Sequence, residues 1–247
     1  MARIVHIALK VEDLEKATQF YENVFGLRQT STGYARGHIS RHMTDGELDM
    51  ALMKYDSEDV HEAQLSGAGP CIHHWGIEVP NRDEAVKLIE ANGGTIISKR
   101  GEGALKFRAP DGTIAEIVGP GRYKSCDHSA PSRIMHLAIR VPALEPAAAF
   151  YRSVFGFEDA PTANKQQQSW HMTDGRFDLS LTIRGNEETN GRARLDHWGV
   201  EVDDRDELAA KIVQNGGEVV RKTDKATIFR AVDGTFGEMR KPKTWRE

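Results

Sequence analysis

Six residues of this chain fall into two matched sets, His6/His74/Glu116 and His136/His197/Glu238, and they are the side chains best suited to chemistry. Four of them open one repeated phrase: HIALKV at His6, HWGIEV at His74, HLAIRV at His136 and HWGVEV at His197. Each phrase reads His, any residue, Ala or Gly, an aliphatic, a charge, Val. Two imidazoles and one carboxylate can grip a divalent metal on one side and leave coordination positions open on the other.

Strand alternation sets where those histidines point. In HIALKV the residues His6, Ala8 and Lys10 share one face, while Ile7, Leu9 and Val11 share the other, which must pack under helices. His therefore lies on a concave face with a small residue two positions on, as a pocket requires. The acids arrive on a different segment. PDGTIAEIVGP and VDGTFGEMRKP run from an Asp-Gly turn into a strand, with Glu five positions after Asp111 and Asp233. An acid among Ile114, Ala115, Ile117 and Val118 is costly to bury alone, and a cation on the inner face would relieve that cost, as would an Arg or Lys. A lone strand histidine is more often a hydrogen-bonded core residue. Recurrence in register, with the acid at a fixed offset in both halves, favours a metal.

The elements that must hold these residues come as a repeat of about half the chain. FYENVFGL (20–27) matches FYRSVFGF (150–157), HMTDGELDMALM (42–53) matches HMTDGRFDLSLT (171–182), and IEANGG (89–94) matches IVQNGG (212–217). The halves read as 1–120 and 133–241, joined by a Gly-, Ser- and Pro-containing linker at 121–132. Helices are expected at 13–25, with Asp13 as N-cap and Gly26 past the end, at 145–155, bracketed by Pro146 and Gly156, and at 82–91 and 205–214, stopping at Asn-Gly-Gly. MALM, TIISK, IAEIV, LSLT and EVVRK read as strands. The fold class is α+β: four βαβββ modules paired into two cup-shaped half-barrels.

Composition bounds the rest. At 247 residues, 39% apolar and 28% charged, the chain can bury a core, and a net charge of -4 without a basic stripe argues against nucleic acid. Two cysteines, Cys71 and Cys126, are too few for a disulfide framework. No apolar run reaches the roughly 18 residues of a membrane span and no signal-like segment is visible, so no membrane association and a cytoplasmic location are expected. Homodimerisation through edge strands is open.

The His-initiated strands, the helix ending in FYENVFGL or FYRSVFGF and the Asp-Gly-to-Glu closing strand resemble the vicinal oxygen chelate superfamily, over nearly the whole chain. That superfamily includes glyoxalase I, extradiol dioxygenases, epimerases and bleomycin or fosfomycin resistance proteins. The resemblance implies cups around a metal, in a two-domain dioxygenase-like layout. Glyoxalase-like members add a Glu ligand that would fall near Ala51 and Ser180, neither of which is a carboxylate. The remaining two His and one Glu per half resemble the set of Fe(II) or Mn(II) dioxygenases, with Ni(II), Co(II) or Zn(II) as other occupants, acting on a small vicinal-oxygen substrate and O₂. The Tyr that extradiol enzymes carry before the Glu is replaced by Lys106 or Ile228. A metal-dependent isomerase or lyase and a non-catalytic resistance-type binder are the competing readings.

Asp49 and Asp178 share the parity of Ala51 and Ser180 and are candidate acids or bases. His42 and His171, inside HMTDG, are further pocket candidates. Trp75 and Trp198 have the helix-facing parity of core residues, whereas Trp170 and Tyr34 could shape an aromatic pocket. Residues 165–168, KQQQ, read as a loop tip. His61, His73 and His128 have no counterpart in the other half and are expected to be exposed.

Overall fold

A computed structural model describes residues 1–99, 103–123, 126–160, 168–183 and 194–245, so most of the KQQQ segment lies outside the described residues. The first module runs β1 (Arg3–Lys10), α1 (Leu14–Phe25), β2 (Arg28–Ala35), β3 (His38–Thr44) and β4 (Asp49–Tyr55). The second runs β5 (Cys71–Glu78), α2 (Arg82–Ala91), β6 (Thr95–Ile96), β7 (Ala104–Arg108) and β8 (Ile114–Val118). The third is β9 (Arg133–Arg140), α3 (Leu144–Phe155), β10 (Glu158–Asp159), β11 (Ser169–Thr173) and β12 (Asp178–Thr182). The fourth is β13 (Arg194–Glu201), α4 (Arg205–Gln214), β14 (Glu218–Lys222), β15 (Thr227–Arg230) and β16 (Phe236–Arg240). This is the expected α+β architecture of four βαβββ modules in two half-barrels.

Local chemistry explains the helix ends. The Asp13 carboxylate accepts from the Lys16 amide at 3.0 Å, and Gly26 ends α1 in the left-handed region at φ 68°. Asn81 and Asp204 cap α2 and α4 in the same way. The expected TIISK strand shrinks to two residues because the Ile97 and Ser98 amides both point at one acceptor, the Lys106 carbonyl.

Each half is one eight-stranded sheet, in the orders β2-β3-β4-β1-β5-β8-β7-β6 and β10-β11-β12-β9-β13-β16-β15-β14. The strands that carry the repeated phrase, β1 with β5 and β9 with β13, pair antiparallel at the middle of each sheet. Parallel neighbours flank them: β4 and β8 in the first half, β12 and β16 in the second.

The sheets are separate, but the core between them is shared. One apolar cluster runs from Ile4, Ile7 and Leu9 through Trp75 and Phe107 to Leu137, Trp198 and Phe229. The helices of one half pack on the other: Trp75 meets Tyr151 of α3 at 5.6 Å between ring centroids, and Trp198 meets Phe25 of α1 at 5.2 Å. Both tryptophans are fully buried there, in agreement with their parity.

The hydrogen bonds across this junction are reciprocal. The Tyr21 hydroxyl donates to Asp233 at 2.8 Å, and Tyr151 donates to Asp111 at 2.9 Å. The Ile134 amide donates to Asp45 at 2.7 Å, and the Ile4 amide donates to Asp174 at 2.7 Å. The repeated FY, DG and HMTDG phrases thus bind one half to the other about an internal two-fold relation. Residues from the 121–132 segment add to the seam: the Ser132 hydroxyl donates to the Phe25 carbonyl, and His128 Nε2 to that of Gly26. His128 is therefore half-buried rather than exposed.

Two aromatic expectations fail. Trp170 is buried with its indole N–H on Asp159 and the Arg152 guanidinium over its ring, which commits it to the α3 side. Tyr34 is 65% exposed on edge strand β2 and donates to Asp56. Neither lines a cup.

Candidate metal centres

Register brings the six residues together. Across the first sheet, Asp49, His6, Gly76, Glu116 and Lys106 form one lateral row, and His42, Ala51, Ala8 and His74 form the next. The second sheet repeats both rows as Asp178, His136, Gly199, Glu238 and Ile228, then His171, Ser180, Ala138 and His197. Two members of each triad thus come from one row, with a glycine between them, and the third comes from the next.

That glycine is a spacing requirement. A Cβ on Gly76 would stand 2.8 Å from the His6 Cβ and 3.3 Å from Glu116 Oε1, and one on Gly199 would stand 2.9 Å from the His136 Cβ. The small residue of the phrase makes room for the histidine and glutamate of neighbouring strands. In each half, one donor atom from every member of the triad lies within 4.8 Å of the others.

The hydrogen bonds behind the ligands are compatible with metal. Asp49 Oδ2 accepts from His6 Nδ1 at 2.7 Å and from His42 Nδ1 at 2.8 Å. Asp178 Oδ2 does the same for His136 at 2.6 Å and His171 at 3.0 Å. An ionised carboxylate only accepts, so Nδ1 carries the proton in each and Nε2 of the ligand histidine is left for a cation. Burial alone would raise both aspartates, but the paired imidazoles hold them below the usual range. Burial likewise opposes protonation of His42, yet the Asp49 hydrogen bond and charge raise it.

The two halves differ around the second histidine. His74 is buried and its Nδ1 lies 2.8 Å from Nδ1 of His73, whose Nε2 is 2.8 Å from the Glu62 carbonyl. His73 is therefore 1% exposed, contrary to its expected place at the surface; it lies under the Glu62 turn and beside Tyr55. Burial pushes His73 down to about 4, and burial with the Lys106 charge holds His74 well below its ordinary value. A neutral His74 faces Glu116 at 3.4 Å, an imidazole against a carboxylate with room for a cation.

In the second half Asp196 stands where the first has His73. His197 Nδ1 is 2.8 Å from Asp196 and its Nε2 is 3.0 Å from Glu238. Burial works against the charge, but these two carboxylates raise His197 to about 9. Arg240 Nε donates to the other Glu238 oxygen at 2.6 Å.

Sequence reasoning missed the residues that close the sites. Tyr123 stacks on His6 at 4.3 Å and donates to Glu116, while Trp245 stacks on His136 at 4.3 Å. Each follows its closing strand by five residues, a spacing visible only when both tails are compared. Over the first cup, residues 56–70 are held by Lys10, which donates to Ala63 and Gly67 carbonyls, and by Glu62, which pairs with Lys106 at 2.6 Å. The Lys106 ammonium is 3.8 Å from Glu116. Beside the second site, Asp178, Trp245, Arg133, Arg176 and Lys243 line a cavity of about 260 Å³.

A family model described as the Glyoxalase/Bleomycin resistance protein/Dioxygenase superfamily matches residues 3–117 and 133–234. A probable chloroplastic lactoylglutathione lyase of Arabidopsis thaliana is 22% identical over 245 residues, covering 92% of this chain and 63% of its own. Lactoylglutathione lyase of Schizosaccharomyces pombe is 21% identical, covering 62% of this chain and 59% of its own. The chain thus spans about three fifths of the length of these two relatives.

Three solved structures share the fold. A 4-hydroxymandelate synthase variant from Streptomyces coelicolor has a TM-score of 0.72 at 13% identity, over 96% of this chain and 91% of that one. The 2,3-dioxygenase LapB from Pseudomonas sp. KL28 gives 0.67 at 16%, over 97% and 91%. A Mn(II)-bound glyoxalase from Novosphingobium aromaticivorans gives 0.69 at 15%, over 98% and 83%.

Proposed function

The chain belongs to the Glyoxalase/Bleomycin resistance protein/Dioxygenase superfamily, and from that premise we propose that it is a metal-dependent dioxygenase of the vicinal oxygen chelate type, extradiol-like, acting on a small catecholic or other vicinal-oxygen substrate with Fe(II). The supporting observation is the donor set. Each half gathers two histidines and one glutamate, and the row position of a fourth carboxylate holds Ala51 or Ser180. A three-residue set leaves positions for two substrate oxygens and O₂, where a four-residue set leaves fewer. In this reading residues 1–120 and 133–241 are two metal domains joined by 121–132.

His6, His74 and Glu116 would hold one ion and His136, His197 and Glu238 the other. When bound, the metal supplies Lewis-acid polarisation and a template for the substrate. The chain supplies the proton handling. Asp49 keeps a proton on Nδ1 of His6 and of His42, so Nε2 is the basic nitrogen of the neutral His42 ring, the atom that would exchange a proton with a substrate. Asp178 and His171 repeat the arrangement. The aspartates thus act as orienting partners of the histidines that carry acid/base chemistry.

A second reading, a metal-dependent isomerase or lyase, is favoured by the sequence relatives, which carry lactoylglutathione lyase names. Oxygen consumption separates the two. Protein purified anaerobically and reloaded with Fe(II) should take up O₂ with a member of a catechol panel. Turnover of hydroxy-thioester or epimerisable substrates without O₂, supported by Ni(II) or Zn(II), would replace the oxygenase reading with the lyase one.

A further inference from the structure

We infer that His73 is the positioning residue of the first site, fixing the tautomer of His74 so that Nε2 is presented unprotonated; the inference rests on reading that site as a metal centre. The argument starts at a group with no choice. The Glu62 carbonyl can only accept, and His73 Nε2 lies 2.8 Å from it, so Nε2 carries the proton. The Tyr55 hydroxyl, 3.2 Å from the same nitrogen, fits beside that bond as a second acceptor. His73 has no carboxylate among its hydrogen-bond partners, which are a carbonyl, a phenol and an imidazole. A neutral ring protonated at Nε2 has a bare Nδ1, and that atom lies 2.8 Å from Nδ1 of His74. Two bare nitrogens would repel, so His74 donates from Nδ1 and its Nε2 keeps the lone pair. That lone pair faces Glu116 Oε2 at 3.4 Å, where both side chains are 3% exposed.

The second half holds the Nδ1 proton of its histidine with a different partner. Its phrase reads DHWG where the first reads HHWG, and Asp196 accepts from His197 Nδ1 at 2.8 Å. One ligand is thus backed by a carboxylate and the other by an imidazole relayed to a main-chain carbonyl. Partners of this kind set ring orientation, and their loss weakens metal binding about 10–100-fold.

The test uses the 247-residue chain carrying His136→Ala and His197→Ala, so that added metal reports on the first site. Nitrogen-15 spectra of the metal-free protein should show His74 as the Nδ1–H tautomer. Co(II) titration, followed by its visible spectrum, should show one site that His73→Leu weakens 10–100-fold and that His73→Asp, copied from the second half, restores. An Nε2–H tautomer in the parent overturns the inference even if His73→Leu fails to fold. So does Co(II) affinity unchanged by His73→Leu. A parent that binds no Co(II) while His74 shows the Nδ1–H tautomer leaves the inference standing and removes the metal-site reading instead.

Discussion

The two cups share a backbone plan and a His/His/Glu set, yet they differ in the hydrogen-bond and charge partners of the second histidine and the glutamate. In the first, His74 is backed by neutral His73, Glu116 has Lys106 within 3.8 Å, and Tyr123 donates to the glutamate. In the second, His197 is held between Asp196 and Glu238, Arg240 grips the glutamate, and the stacking ring is Trp245, whose face cannot accept or donate as a phenol does. Across the comparison, the row register that converges the two histidines and the glutamate is common to both halves, while their charge partners are set separately by residues outside the repeated phrases.

The largest test of that comparison removes ligands one half at a time. His6→Ala and His136→Ala should each abolish about one equivalent of bound metal by elemental analysis and leave the other half loaded. If either substitution empties both sites, the cups are not independent metal centres. Activity should then follow one of the two variants more than the other, which identifies the working half.

An intermediate test concerns the junction. Tyr21→Phe and Tyr151→Phe each leave a buried aspartate short of one donor, so each should cost about 1–3 kcal/mol in urea unfolding. The reciprocal geometry predicts costs of similar size. A clear inequality would show that the two-fold relation is geometric only.

The smallest effect is on pH dependence. Burial raises Asp111 and Asp233 despite their hydroxyl and amide donors. A carboxyl whose folded value is raised binds its proton more tightly in the native state, so its contribution is complete at low pH and falls as pH rises from about 4 through the folded value. Asp233→Asn should flatten that part of the stability profile, and Asp111→Asn should do so to a like extent. Urea midpoints measured between pH 4 and 7 decide it, and profiles that stay parallel to wild type would remove these groups as its cause.

Most of the fold was legible because the phrase repeats four times and strand parity assigns its faces. The helices followed from Asp13, Asn-Gly-Gly and the two FG ends. The convergence of the two His/His/Glu sets was legible for the same reason: His and Glu on inward parity in an apolar setting. What sequence could not carry was neighbour identity across strands. Asp49 reads as a candidate acid or base along the chain, but the parallel ladder sets it opposite His6, which it orients. His73 reads as a surface residue because the other half has no matching histidine; its burial comes from the Glu62 turn packed over it. Tyr123 and Trp245 lie beyond the last strand of each repeat, where no periodicity signals a return to the site.

The reciprocal bonds of Tyr21 and Tyr151, and of Asp45 and Asp174, are those of a symmetric pair of subunits written into one polypeptide. A dimer of identical chains is obliged to keep two identical pockets, since any change to one is made to both. Joining the copies lifts that obligation without loosening the seam. His73 in one copy and Asp196 in the other are what such freedom allows: one His/His/Glu arrangement on one scaffold with two different sets of neighbours.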